Sequence, residues 1–202
     1  MSRSAHIRNL FGPLVRRMYR IRVHGTSSVP LTGSVLLLCP QEGILAAPAL
    51  ISVAPRPIQI IPNGSLASVL GSSGIEQIGG IPISGPAAID TQNRAAAALR
   101  SGAAVGIFGV HPAPGWLVAK EAPVVVPVIV LGDHGRVLTD PPRLGSRVDV
   151  FFGPAVIASA VGEHGLGQAA PNRSEARFRA EWCRQIVMDA QERAVQRTGG
   201  SQ

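Results

Sequence analysis

Short apolar runs alternate with helix-like stretches through the middle of the chain. Val35 to Leu38, Ile58 to Ile61, Val105 to Phe108, Val124 to Leu131 and Val148 to Phe152 are brief, mostly β-branched and bounded by Gly or Pro. These features predict strands. Ala46 to Val53, Ala87 to Leu99 and Trp116 to Lys120 are predicted to be wholly or partly helical, the first weakened by Pro48. Such alternation predicts an α/β domain on a mostly parallel central sheet flanked by helices. His134-Gly135-Arg136 and Asp140-Pro141-Pro142 are predicted turns.

The two ends carry helical periodicity. Over residues 7 to 19, Leu10, Leu14 and Met18 fall on one stripe, with Phe11 and Val15 beside it and Arg8, Arg16 and Arg17 on other faces. Pro13 fits the first turn of a helix starting at Gly12. Two readings fit this pattern: a helix lying in a lipid headgroup plane, or one packed on its own domain with the arginines in water. At the other end, Pro171-Asn172-Arg173-Ser174 is a helix start and Gly199-Gly200 a stop. Phe178, Trp182, Ile186, Val187, Ala190 and Ala194 make an apolar face with Cys183 beside it, suited to packing on the domain or on a partner. The Gly- and Ala-rich residues 160 to 172 are expected to be a loose connection. The expected organisation is a basic amphipathic arm over 1–22, an α/β domain over 23–160, and a linker with C-terminal helix over 161–202.

Charge sharpens the reading of the N-terminal arm. The formal net charge is +7, yet the first acid is Glu42, preceded by Arg3, Arg8, Arg16, Arg17, Arg20 and Arg22. Such an arm points to an anionic surface. Aromatics are only 4% and do not interleave with basic residues, so nucleic acid is not the expected partner. Anionic membrane lipid is, through Arg8, Leu10, Phe11, Leu14, Arg16, Arg17 and Arg20; a solvated arm or a protein contact is the alternative. No apolar run approaches the ~20 residues that cross a bilayer, and Met1 to Arg22 lacks a signal peptide's apolar core. A cytoplasmic protein, peripheral on the inner face of the membrane, is expected. Cys39 and Cys183 form no disulfide framework or zinc spacing, and Cys39 ends an apolar run as a buried thiol would.

Four blocks in order resemble the glycerolipid (1-acylglycerol-3-phosphate) acyltransferase family over roughly residues 20 to 155. Arg20-Ile21-Arg22-Val23-His24-Gly25, Val29-Pro30 and Gly33 lead to Val35-Leu36-Leu37-Leu38, similar to the family's basic approach and first buried strand. In the family that strand delivers Asn-His-x-Ser-x-x-Asp. Here Cys39-Pro40-Gln41-Glu42-Gly43-Ile44-Leu45 stands instead, with Cys39 at the Asn, Pro40 at the His and Leu45 at the Asp. Gly79-Gly80-Ile81-Pro82-Ile83-Ser84-Gly85 resembles "GGIPVDR", with Ser84 for Asp and Gly85 for Arg. The stretch from Asn93 to Gly102 is similar to the family's helix and its terminal Gly. Phe108-Gly109-Val110-His111-Pro112-Ala113 resembles "FPEGTR", with Val110 for Glu and Ala113 for Arg. Ala122-Pro123-Val124-Val125-Val126-Pro127-Val128 is similar to "gvPVVPV".

The resemblance implies a glycerol-phosphate-acyltransferase-like fold whose structural residues persist while its chemical ones are gone. In the family's reaction the His takes a proton from a glycerolipid hydroxyl that attacks an acyl thioester, and the Asp orients the imidazole. Pro40 cannot accept a proton, Leu45 cannot orient a base, and Gly85 and Ala113 cannot clamp a phosphate. Loss of a general base lowers a rate by on the order of 10²–10⁴. The expected protein is therefore a catalytically inactive, membrane-associated lipid-binding or scaffold partner in envelope lipid metabolism. The alternative is an active acyltransferase, drawing on acyl-CoA or acyl carrier protein, with His111 and Glu42 as a rearranged pair. The expected groove is formed by Pro40, Glu42, Leu45, Ser84, Gly85, Val110 and His111, with no catalytic residue, cofactor or metal. Its partners are an acyl chain or acyl carrier, or a protein such as an active lipid or envelope enzyme.

Overall fold

The structure is a computed structural model describing residues 12–41, 43–62, 64–83, 89–109, 113–157 and 173–199. Its centre is a sheet of seven strands: β1 (Arg20–His24), β2 (Val35–Cys39), β3 (Ile58–Ile61), β4 (Ala104–Phe108), β5 (Val124–Leu131), β6 (Arg147–Phe152) and β7 (Val156–Ile157). The spatial order is β1-β6-β5-β2-β4-β3, with β7 paired to β5. β5, β2, β4 and β3 run parallel. β6 pairs antiparallel with β5, and β1 joins β6 in parallel at the edge. Every residue of β2 and β4 is buried, as expected where helices cover both faces of a parallel sheet.

Pro127 lies inside β5, where a central proline removes a donor. It falls between Val124–Val125, which pair with β7, and Val128–Leu131, which pair with β6. Its carbonyl accepts from the Gly153 N–H at 2.8 Å. The missing N–H thus coincides with the point where β5 changes partner.

Alternate residues of β2 feed two cores. Val35, Leu37 and Cys39 join α2 (Ala46–Val53) through Ala46, Ala47 and Leu50. Leu36 and Leu38 join α4 (Ile89–Arg100) and α5 (Ala113–Glu121) through Ala95, Leu99, Leu117 and Val118. The long C-terminal helix α6 (Arg173–Gly199) lies on this second face, burying Cys183, Ala190 and Ala194. It approaches α5 closely at Gly115, where a Cβ would stand 2.3 Å from the Ala176 carbonyl oxygen. On the first face, α1 (residues 12–18) leads into β1, and α3 (Gly64–Gln77) is broken at Gly71.

Three departures from the sequence reading have physical causes. Arg20 and Arg22 belong to an edge strand, where charged side chains blunt unwanted pairing. α3 was not anticipated, because its Gly- and Ser-rich sequence lacks a strong apolar stripe. Phe178, placed on the buried face of the last helix, is 60% exposed, because α6 turns the Cys183–Ala190–Ala194 side to the sheet. Residues 160–172, read as a loose connection, lie outside the described residues. Among the described residues no helix is long and apolar enough to cross a membrane.

Candidate functional site at the ends of the parallel strands

In open α/β sheets ligands bind in the crevice beyond the carboxyl ends of the strands. A cavity of about 380 Å³ lies there in this chain. Leu38, Cys39 and Pro40 come from β2 and its continuation, and Ile107 and Gly109 from β4 and its continuation. Pro114 opens α5, while Ala180, Cys183, Arg184 and Val187 close the cavity from α6. The strand ends are locked together by the Gly109 N–H, which donates to the Cys39 carbonyl at 2.9 Å. The wall is almost wholly apolar. Its one charged side chain, Arg184, is exposed and pairs with Glu181 along the helix.

Burial disfavours the thiolate of both cysteines in the wall. Burial pushes the Cys39 thiol well above its usual range, against a lowering contact with Gln41; the Asp133 charge adds to the rise. Burial likewise pushes Cys183 up to about 12, while Arg179 pulls the other way. A protonated thiol behaves as a small apolar group.

The loop after β2 is fastened by structural bonds. The Gln41 amide oxygen accepts from the Val130 N–H at 3.2 Å and from the Cys39 thiol at 3.4 Å. The Gly43 N–H donates to the Asp133 carboxylate at 3.0 Å. The Leu45 N–H donates to the Asp133 carbonyl at 2.9 Å, and the Ile44 N–H to the Leu138 carbonyl at 2.8 Å. Asp133 is buried, and its other carboxylate oxygen lies 3.0 Å from His134 Nδ1. A carboxylate beside one ring nitrogen of a histidine is the geometry that orients an imidazole. The cavity wall itself is built from other residues.

Of the residues expected to line a groove, Pro40 does so. Leu45 instead starts α2 and is buried in the core on that helix's side of the sheet. The structure therefore does not bring Pro40 and Leu45 together around one space. Glu42, Ser84, Gly85, Val110 and His111 lie outside the described residues. Sequence reading did not identify Cys183, Arg184 or Val187 as wall residues. The apolar face of the last helix was legible, but not the strand ends it covers. Asp133 was missed too, because nothing local marks a turn aspartate as the anchor of a loop ninety positions away.

In the N-terminal region, Leu14 and Met18 point to solvent, whereas Val15 packs on the core. Arg16 donates to the Ser52 carbonyl at 2.9 Å, and Arg17 and Arg20 are exposed. Arg8, Leu10 and Phe11 lie outside the described residues. His24 is tied into the sheet: Nε2 lies 3.3 Å from Asp149 Oδ1 and the ring stacks on Phe151. No group of His, Cys, Asp and Glu among the described residues could hold a metal ion.

The architecture has a counterpart among solved proteins. The chain is similar to the crystal structure of the 1-acyl-sn-glycerophosphate (LPA) acyltransferase PlsC from Thermotoga maritima, with a TM-score of 0.64 at 15% identity. The match covers 94% of this chain and 78% of that one. The fold is acyltransferase-like. No family profile and no curated protein matches the sequence. The cavity of this acyltransferase-like fold lies where β2 ends at Cys39 and the chain continues into Pro40.

Proposed function

We propose that this chain is a membrane-associated, acyltransferase-like protein that holds an apolar chain without transferring it, serving as a lipid-binding or scaffold partner in lipid metabolism. The observation that carries this reading is Pro40. By the sequence resemblance it stands at the position of the family's base, and it lines an apolar cavity of about 380 Å³, a size within the range of about 300–1,000 Å³ typical of small-molecule sites. A polar pair left there without substrate would carry a desolvation penalty; proline and thiols do not. Each buried CH₂ of a guest contributes ~0.8 kcal/mol, so an acyl chain is the natural occupant. The outward-facing Leu14 and Met18 beside Arg17 and Arg20 support attachment to an anionic leaflet.

Titration with a fluorescent fatty acid tests the cavity. Saturable binding in the wild type that is lost in Val187→Trp is expected; binding unchanged by that substitution would sink the reading. A radiolabelled acyl-CoA and acyl-carrier-protein assay with lysophosphatidate tests the chemistry. Turnover approaching ~1 s⁻¹ would overturn the inactive reading.

One observation favours a second reading, an active acyltransferase with a rearranged base. Asp133 and His134 form a carboxylate–imidazole pair beside the loop after β2. If transfer appears, His134→Ala abolishes it under this reading and leaves it intact under any other.

A further inference from the structure

We infer that the edge of the sheet carrying the cavity mouth is a bilayer-docking face, and that residues 136–144 supply a second lipid contact beside α1. This inference rests on the membrane-associated reading above and adds the surface and the orientation.

The topology gathers distant segments at one edge. β2 ends there at Cys39 and β5 ends there at Leu131. Because β6 runs antiparallel to β5, with Leu131 opposite Asp149, β6 begins at that same edge. Arg20 at the start of β1 pairs with Arg147, so α1 arrives there as well. Backbone bonds tie the pieces together. The Gly145 N–H donates to the Met18 carbonyl at 2.8 Å, and the Arg20 N–H to the Ser146 carbonyl at 2.9 Å. The Ile44 N–H donates to the Leu138 carbonyl at 2.8 Å, which sets the 136–144 segment against the loop that follows Pro40.

The side chains on this edge are those of an interfacial surface. Leu144 is 72% exposed and Leu138 40%, next to Leu14 at 51% and Met18 at 38%. Isolated exposed leucines are ordinary, but here they stand among exposed Arg17, Arg20, Arg136 and Arg143. The acids of the segment do not balance them. Asp133 is buried against the Gly43 N–H and Asp149 neutralises Arg147, leaving Asp140 against the other arginines. An apolar tip ringed by arginine fits an anionic leaflet: the leucines enter the acyl boundary while the guanidiniums meet lipid phosphate. An acidic protein surface would match the charge but has no comparable use for leucines projecting from two separate segments. Docked this way, the strand ends that line the cavity, Cys39 and Pro40 among them, lie at the lipid-facing edge.

The test is flotation of the full chain with vesicles of phosphatidylcholine alone and of phosphatidylcholine with phosphatidylglycerol. Wild-type protein should float with the anionic vesicles, less so in high salt. Leu138→Glu with Leu144→Glu should lower the bound fraction about tenfold. Leu31→Glu is the control. Leu31 is 68% exposed but precedes β2, at the opposite edge, and its substitution should leave flotation unchanged. Should the double variant lose its melting transition, Arg136→Gln with Arg143→Gln replaces it and should remove the preference for anionic vesicles. Undiminished binding of these variants, or an equal loss in Leu31→Glu, would overturn the inference while leaving attachment through α1 standing. Wild-type protein that floats with neither vesicle, whether or not it captures a protein, defeats both the inference and the membrane part of the proposed function. The fatty-acid titration judges the cavity part separately.

Discussion

The carboxylate of Asp133 accepts the backbone N–H of Gly43 at 3.0 Å, and a Cβ built on Gly43 would stand 2.3 Å from the same oxygen. The two residues are fitted so closely that neither tolerates change. Gly43→Ala must displace the carboxylate or the loop. Asp133→Ala leaves a buried N–H without its acceptor, at about 1–3 kcal/mol. Both variants should lower the urea midpoint. An unchanged midpoint in Asp133→Ala would show that the loop is held by its other bonds alone.

Leu45 and Val187 should answer differently to enlargement. Leu45 is buried in the α2 core, so Leu45→Trp overpacks it at about 1–3 kcal/mol or more. Val187 borders empty space, so Val187→Trp fills the cavity with little change in melting temperature while displacing a bound chain. Equal melting shifts for the two would contradict this placement of the cavity.

Acid should weaken the β1–β6 edge through Asp149. Burial pushes its carboxyl up, but hydrogen bonds from Arg147 and His24 outweigh that and hold it below its usual range. A folded value below the unfolded one gives stability that is present above about pH 3.9 and is lost as pH falls through the folded value. Asp149→Asn should be less stable at neutral pH and show a shallower acid decline. Urea midpoints measured down to about pH 2 with the same slope in both proteins would refute the assignment.

Arg56 clamps three connections at the other edge of the sheet. Nη1 donates to the Gly33 carbonyl at 2.8 Å and the Pro30 carbonyl at 3.3 Å, and Nη2 to the Gly102 carbonyl at 2.6 Å. A lysine ammonium cannot span the same fork. Arg56→Lys should therefore destabilise by about 1–3 kcal/mol, read as a lower urea midpoint; a neutral result would mean that water replaces the lost bonds.

What the sequence made legible was set by burial. The strands Val35 to Leu38 and Val124 to Leu131 announce themselves because both faces are covered, and α6 because a start signal, an apolar face and paired glycines agree. β1 stayed hidden because its residues are largely exposed and its arginines read as part of an arm. The site was legible only as a substitution. The resemblance sets Pro40 at the position of the family's base, but which face of the sheet each loop residue would join depends on pairing and crossover, not on spacing. That is why Leu45, five positions later, lies in a different core from the cavity wall. The hold of Asp133 on Gly43 is likewise a long-range contact with no local signature.

Cys39 and Cys183 are the only two cysteines of the chain, and both form part of the same cavity wall, one from the sheet and one from the last helix. A guest in that space and a thiol-reactive probe must compete for the same volume. Measured at alkaline pH, where the raised thiols begin to ionise, the change in modification rate of the unaltered protein on adding a guest is therefore an intrinsic gauge of occupancy, with no engineered label, and comparing the two thiols would report which wall a guest leans against.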